Sequence, residues 1–239
     1  MLKGLLTLPV ILPVLFWAAY HYHKDRYLPE PPLNLVTCFA LGIGSSLASK
    51  QMYLALAPFG LRYDAMVLAD GNPLGLLAYC LLAIGPIEEF AKLLPFLVVV
   101  LRFKAFDEPL DGIIYASFIA LGYAAAENVH YLQFLTPVQA AARGFASPVV
   151  HIVFASIWGH WIGAARLRGR SIVWHGLAGF LLAATAHGIY DFIVLLQARN
   201  ALLAAGGMIV IIWLWRLQLM NALHRDAVEA SLRDSRDDP

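Results

Sequence analysis

The chain has 239 residues, of which 60% are apolar and 14% charged, with a formal net charge of +1. Soluble domains carry roughly 25% charged and 45–50% apolar residues, so this composition excludes an ordinary soluble core. The near-zero charge leaves no basic field for nucleic acid, and Cys38 and Cys80 sit inside apolar runs, which fits packing rather than a disulfide. A multi-pass membrane protein is the reading that remains.

A spanning helix needs about 20 mostly apolar residues to cross ~30 Å of hydrocarbon. Seven such stretches occur, at about 4–22, 33–50, 73–101, 110–135, 146–165, 172–197 and 200–218. Backbone polar groups in lipid must be satisfied within the segment, so these runs predict helices. The alternating segments of an outer-membrane barrel are missing. The expected fold is all-α, a polytopic bundle of seven to eight spans. It forms one domain over 1–220, followed by a polar, frayed cytoplasmic tail over 221–239.

The first stretch resembles a secretory signal only superficially. It holds Lys3, Pro9 and Pro13, lacks a clean cleavage site, and ends in Trp17, Tyr20 and Tyr22, the aromatic belt of a retained anchor. Segment 51–72 reads as a loop or an interfacial helix. Basic residues outside the spans divide five (Lys3, Lys50, Arg62, Arg143, Arg199) against eleven on the opposite side, among them Arg166, Arg168, Arg170 and Arg216. That asymmetry predicts an external amino terminus and a cytoplasmic carboxyl terminus.

Charges at membrane depth are costly, about 2.5–3.5 kcal/mol or more each on insertion scales, and so point to function. The third span holds Glu88, Glu89 and Lys92, at i,i+4 and i,i+3 spacing. Lys92 can neutralise one carboxylate and leave the other for proton transfer. The bland reading is an ion pair closing a helix interface. The fourth span offers Glu127, facing the bundle interior, and Asn128, able to hold a neighbouring helix or orient a carboxylate. His130 lies on another face near the span end and reads as interfacial.

The fifth span brings His151 about one turn inside, and the sixth places His187 and Asp191 at i,i+4 on one face. His160 and His175, flanked by Trp158, Trp161 and Trp174, read as belt residues. The expected depths of Glu88, Glu127, His151, His187 and Asp191 all run from mid-membrane to the outer half. One polar cavity would satisfy them together, with Glu88, Glu127, His151 and His187 converging within about 4–8 Å.

This constellation resembles the PrsW family of intramembrane proteases, within the superfamily of CAAX prenyl proteases and bacteriocin-processing enzymes. The family's E-E-x-x-K pattern corresponds to Glu88, Glu89 and Lys92, and its aromatic-x-x-x-E-N pattern to Tyr123, Glu127 and Asn128. His151 with Gly159, and His187 with Asp191, match its histidine motifs. Asp25, Tyr27, Glu30 and Pro31 match its D-x-Y-x-x-E-P signature. The likeness covers about residues 20–195.

The resemblance implies hydrolysis of peptide bonds in membrane-anchored proteins, such as anti-sigma factors, in a bacterial cytoplasmic membrane. Glu88 is expected as general base, oriented by Glu89 and Lys92, with Glu127, His151, His187 and Asp191 positioning water and stabilising the oxyanion. No cofactor is required by this scheme. The competing scheme is a zinc site using Glu127, His151, His187 and Asp191, although the H-E-x-x-H warrant is missing. A proton-coupled transporter or channel is the rival from another class, but the chain shows no internal repeat. The expected partners are a membrane-anchored protein substrate and the bilayer, with no nucleic acid; no feature of the sequence bears on oligomeric state.

Overall fold

Proline and short polar side chains set most helix starts. Pro32 opens α2 (Pro32–Ala55) and Pro109 opens α6 (Pro109–Tyr131), where the missing N–H costs nothing. Thr136 caps α7 (Pro137–Leu167), accepting from the Gln139 N–H while the Gln139 side chain accepts from the Thr136 N–H. Ser171 caps α8 (Ile172–Leu195) through the Trp174 N–H. The computed structural model describes residues 8–26, 28–197 and 199–237. It adds α1 (Leu8–Lys24), α3 (Ala65–Gly71), α4 (Pro73–Tyr79), α5 (Gly85–Val98) and α9 (Arg199–Asp237). No strand occurs among the described residues, so the chain is an all-α polytopic bundle.

Among the described residues, five helices are individually long and apolar enough to cross a membrane: Pro32–Phe59, Pro109–Tyr131, Pro137–Leu167, Ile172–Leu195 and Asn200–Arg225. The first stretch forms α1, whose described part has 17 residues. The stretch 73–101 is broken: α4 runs into a π-helical turn, Cys80–Ile84, before α5 begins. Segment 51–72 is partly the end of α2, partly the short α3 capped by Asp64. One boundary needs correcting: helix α7 starts at Pro137 rather than about 146. The tail continues α9 as helix through Asp237.

α6 is the central helix, buried on nearly every side by α2, α7 and α1. Its many small residues allow that, since lipid offers no hydrophobic drive between helices and close backbone approach must supply the attraction. At the α6–α7 crossing, a Cβ on Gly159 would collide with the Gly112 carbonyl. At the α5–α8 crossing, a Cβ on Gly85 would strike the Ala184 carbonyl, and one on Gly188 the Cys80 carbonyl. This second crossing brings the start of α5 against the middle of α8. Fully buried Arg216 ties α9 inward, donating from Nε to Ser156 Oγ at 2.7 Å and from Nη2 to Ser117 Oγ at 3.0 Å.

Candidate active site

The π turn and the α5–α8 glycine contact aim two consecutive glutamates at different surroundings. Glu89 is fully enclosed. Its Oε1 accepts from Lys92 Nζ at 2.5 Å and meets His187 Nδ1 at 2.7 Å, while its Oε2 accepts from Trp158 Nε1 at 2.9 Å. Both oxygens are therefore committed. Glu88 instead lines the cavity; its Oε1 accepts from the Tyr53 hydroxyl at 3.2 Å.

The hydrogen-bond partners assign the histidine tautomers. Lys92 carries donors alone, so His151 Nδ1, 3.2 Å from Lys92 Nζ, accepts. His151 Nε2 then donates to Glu127 Oε2 at 3.0 Å. The same Glu127 oxygen pairs with Arg143 Nη2 at 2.9 Å, and the Arg143 guanidinium lies over the Tyr131 ring at 3.9 Å. His187 gives Nδ1 to Glu89, which leaves Nε2 facing the cavity, 3.7 Å from Glu88 Oε2 and 3.6 Å from Asp191 Oδ2. Phe154 stacks on the His187 ring at 4.8 Å, and the two imidazoles sit 5.3 Å apart. Lys92 also lies 5.0 Å from the centre of the Tyr123 ring, whose hydroxyl is bonded to Ser49 at 2.9 Å.

Residues from α5, α6, α7 and α8 thus share one cavity of about 790 Å³, lined by Glu88, Glu127, Arg143, His151, His187 and Asp191. Its wall continues onto α9 at Leu202, Ala205 and Gly206. Ligand-competent atoms of Glu88, His151 and His187 lie within 4.8 Å of one another. That set takes Glu88 where the sequence suggested Glu127 and Asp191. Two imidazoles and a carboxylate suit zinc, and Glu89 on His187 Nδ1 is the outer carboxylate such a ligand usually has. The donor set therefore fits a metal, with one cost: His151 must surrender either Lys92 or Glu127 to offer a lone pair.

Other expectations divide. Asn128 is buried with both amide atoms unpartnered among the described residues, so it orients no carboxylate. His130 is exposed at the end of α6, and His160 and His175 stay outside the cluster. Trp158, named only as a neighbour of His160, is fully buried and holds Glu89.

Three contributors escaped the sequence reading. Trp158 follows His151 by seven residues on α7, two turns on the same face. Arg143 was assigned to a loop, yet the T-x-x-Q capping box at Thr136–Gln139 marks a helix start before it. Tyr53 lay in the ambiguous segment and carried no signal of its own.

Comparison with known proteins identifies the family. A family model described as "PrsW family intramembrane metalloprotease" matches residues 30–217. A protein named Protease PrsW from Geobacillus kaustophilus is 30% identical over 190 residues, covering 79% of this chain and 79% of its own. The protein of that name from Clostridioides difficile is 28% identical over 225 residues, covering 90% and 88%. The one from Oceanobacillus iheyensis is 30% identical over 214 residues, covering 88% and 94%. No solved structure matches.

Proposed function

The chain belongs to the PrsW family of intramembrane metalloproteases, and on that premise we propose that it cleaves membrane-anchored proteins using water activated by Glu88. It is a protease, a hydrolase acting on peptide bonds, and an integral membrane protein. The observation that carries the assignment is the division of labour between neighbours. Glu89 and Glu127 are each bound to a cation, whereas Glu88 faces the cavity with no ion pair closer than His187 at 3.7 Å.

In this reading Glu88 takes a proton from water as its oxygen attacks the scissile carbonyl carbon. His187, held at Nδ1 by Glu89 and donating from Nε2 as the imidazolium, and Arg143 at the mouth supply hydrogen bonds to the developing oxyanion. Protonated Glu88 then gives its proton to the departing amide nitrogen as the C–N bond breaks. Glu88, His151 and His187 are the residues that would hold a divalent metal. Bound there, it would supply Lewis-acid polarisation of the carbonyl and a more acidic water.

An apolar cavity wall from Val150 to Leu202 suits a substrate that arrives as a transmembrane segment. The orientation we propose keeps the carboxyl terminus in the cytoplasm of a bacterial cell. Removing Arg143, which lines the cavity, and buried Arg216 from the tally (5 − 1 and 11 − 1) leaves four basic residues against ten. Cleavage of single-span substrates by the detergent-purified protein tests the function. Glu88→Gln should lose cleavage by about 10²–10⁴-fold while keeping its fold. Wild-type turnover in that variant removes Glu88 from the mechanism. Full activity after chelation, with no metal found by elemental analysis, removes the metal scheme.

A further inference from the structure

The D-x-Y-x-x-E-P signature has no part in the cavity just described. It lies at the opposite end of α6, since Asp111 precedes Glu127 by 16 residues (127 − 111), or about 24 Å of helix. The Glu30 N–H donates to Asp25 Oδ2 at 2.8 Å, which folds the α1–α2 connection back on itself. That loop meets the start of α6. There the Asp107 and Glu108 N–H groups both donate to Asp111 Oδ2 at 2.8 Å. The Tyr115 hydroxyl donates to Glu30 Oε2, and Asn34 Nδ2 donates to that hydroxyl at 3.0 Å. Oxygens of Asp25, Glu108 and Asp111 converge within 4.8 Å of one another.

The positive end of α6 explains why carboxylates gather here, and the peptide N–H groups satisfy one oxygen of each aspartate. The other oxygens have no such donor. Asp25 Oδ1 and Asp111 Oδ1 are both buried without a donor, in side chains 2% and 0% exposed, and Asp111 is relieved only when the neighbouring Glu30 carboxyl carries a proton to share with it. No lysine or arginine forms an ion pair with Asp25, Glu30, Glu108 or Asp111 among the described residues. A buried carboxylate oxygen with no donor is costly, and two of them beside a third acid form a surface that a cation would complete.

We propose that Asp25, Glu108 and Asp111 form a second cation site, separate from the catalytic cavity, that binds a hard divalent ion such as Ca²⁺ or Mg²⁺. The all-oxygen donor set selects such ions over zinc, which prefers nitrogen and sulfur. A bound ion would clamp the α1–α2 loop to the first turn of α6.

The test is titration calorimetry on full-length protein in detergent, stripped with EDTA and then freed of it, using CaCl₂ and MgCl₂ in separate runs. Wild type and Glu88→Gln should each bind one equivalent of at least one of these ions. Asp25→Asn and Glu108→Gln should weaken that binding tenfold or more. Glu108 is only partly buried, so Glu108→Gln keeps the test valid should Asp25→Asn fail to fold. The proposal is overturned by no saturable binding of either ion up to 5 mM, roughly the weak limit of protein Ca²⁺ sites. Binding that both cluster variants retain, or that Glu88→Gln alone abolishes, overturns it equally.

Discussion

Two polar clusters share helix α6, and they solve the problem of buried acids in opposite ways. Toward its carboxyl end, Glu89 and Glu127 are matched by Lys92 and Arg143, His151 bridges the two pairs, and His187 joins Glu89 to the cavity. Toward its amino end, Asp25, Glu30, Glu108 and Asp111 face one another, and burial pushes Glu30 up to about 9 and Asp25 and Glu108 up to about 7. The first cluster carries its own counter-ions and so holds charge at membrane depth in fixed geometry, as catalysis requires. The second leaves the positive charge to come from outside. Removing a cation should therefore damage the first, while removing an acid should relieve the second.

The largest effect belongs to Lys92. It is fully buried and serves Glu89 and His151 at once. Lys92→Met strands the Glu89 carboxylate, and breaking such a buried pair costs about 3–5 kcal/mol. Thermal unfolding in detergent should show a large drop, and cleavage should fail with it. An unchanged midpoint would show that Glu89 is not ionised.

Trp158→Phe is next. It preserves the ring packed edge-on against Phe96 at 5.1 Å and deletes the N–H given to Glu89. A hydrogen bond to a charged group is worth about 1.5–3 kcal/mol, so stability should fall by that amount with Lys92 still in place. A midpoint equal to wild type would mean that water replaces the indole, and the enclosure of Glu89 would be refuted.

Arg143→Gln comes third because the arginine is partly exposed, at 33% of its side chain. Its pair with Glu127 should contribute about 1 kcal/mol to stability after screening. Cleavage should fall more than stability does, because Arg143 faces the cavity where charge develops. Arg143→Lys should recover part of the rate. Equal small losses in both quantities would leave Arg143 as a surface ion pair.

How much of this was legible in the sequence follows from the range of each interaction. Helix class and the list Glu88, Glu89, Lys92, Glu127, His151, His187 and Asp191 could be read, because charge inside an apolar run is conspicuous whatever the fold. Pairings were not. That Lys92 belongs to Glu89 rather than Glu88 depends on the π turn at Cys80–Ile84 and on the Gly85 contact with α8. Neither has a local signature. Trp158 and Tyr53 were hidden for a different reason: aromatic residues near span ends are usually belt residues, and only tertiary packing turns them inward. Asn128 shows the reverse, a polar residue beside cavity-lining Glu127 that has no hydrogen-bond partner among the described residues.

The smallest expected effect is the one with reversed sign. Glu108 in the acid cluster is raised to about 7 by burial, with Asp111, Asp25 and Asp107 adding repulsion, against about 4.3 for a free glutamate. A raised carboxyl favours the fold while it is protonated, so its contribution is full below about pH 4 and disappears as pH rises through about 7. With divalent ions removed by chelator, wild-type stability should decline between about pH 4 and 7, and Glu108→Gln should decline less. The two should coincide near pH 4, where the glutamate is largely protonated in the folded and unfolded chains alike, and separate above pH 7 by at most about 1 kcal/mol once solvent screening is allowed for. Adding Ca²⁺ or Mg²⁺ should close that gap from the wild-type side, because the ion supplies the missing positive charge to the glutamate and has less to hold in the glutamine variant. Parallel pH curves would show that Glu108 does not feel its neighbours. A gap that persists in saturating Ca²⁺ and Mg²⁺ would show that repulsion is real but that no ion relieves it, and the contrast between the two ends of α6 would reduce to one of protonation.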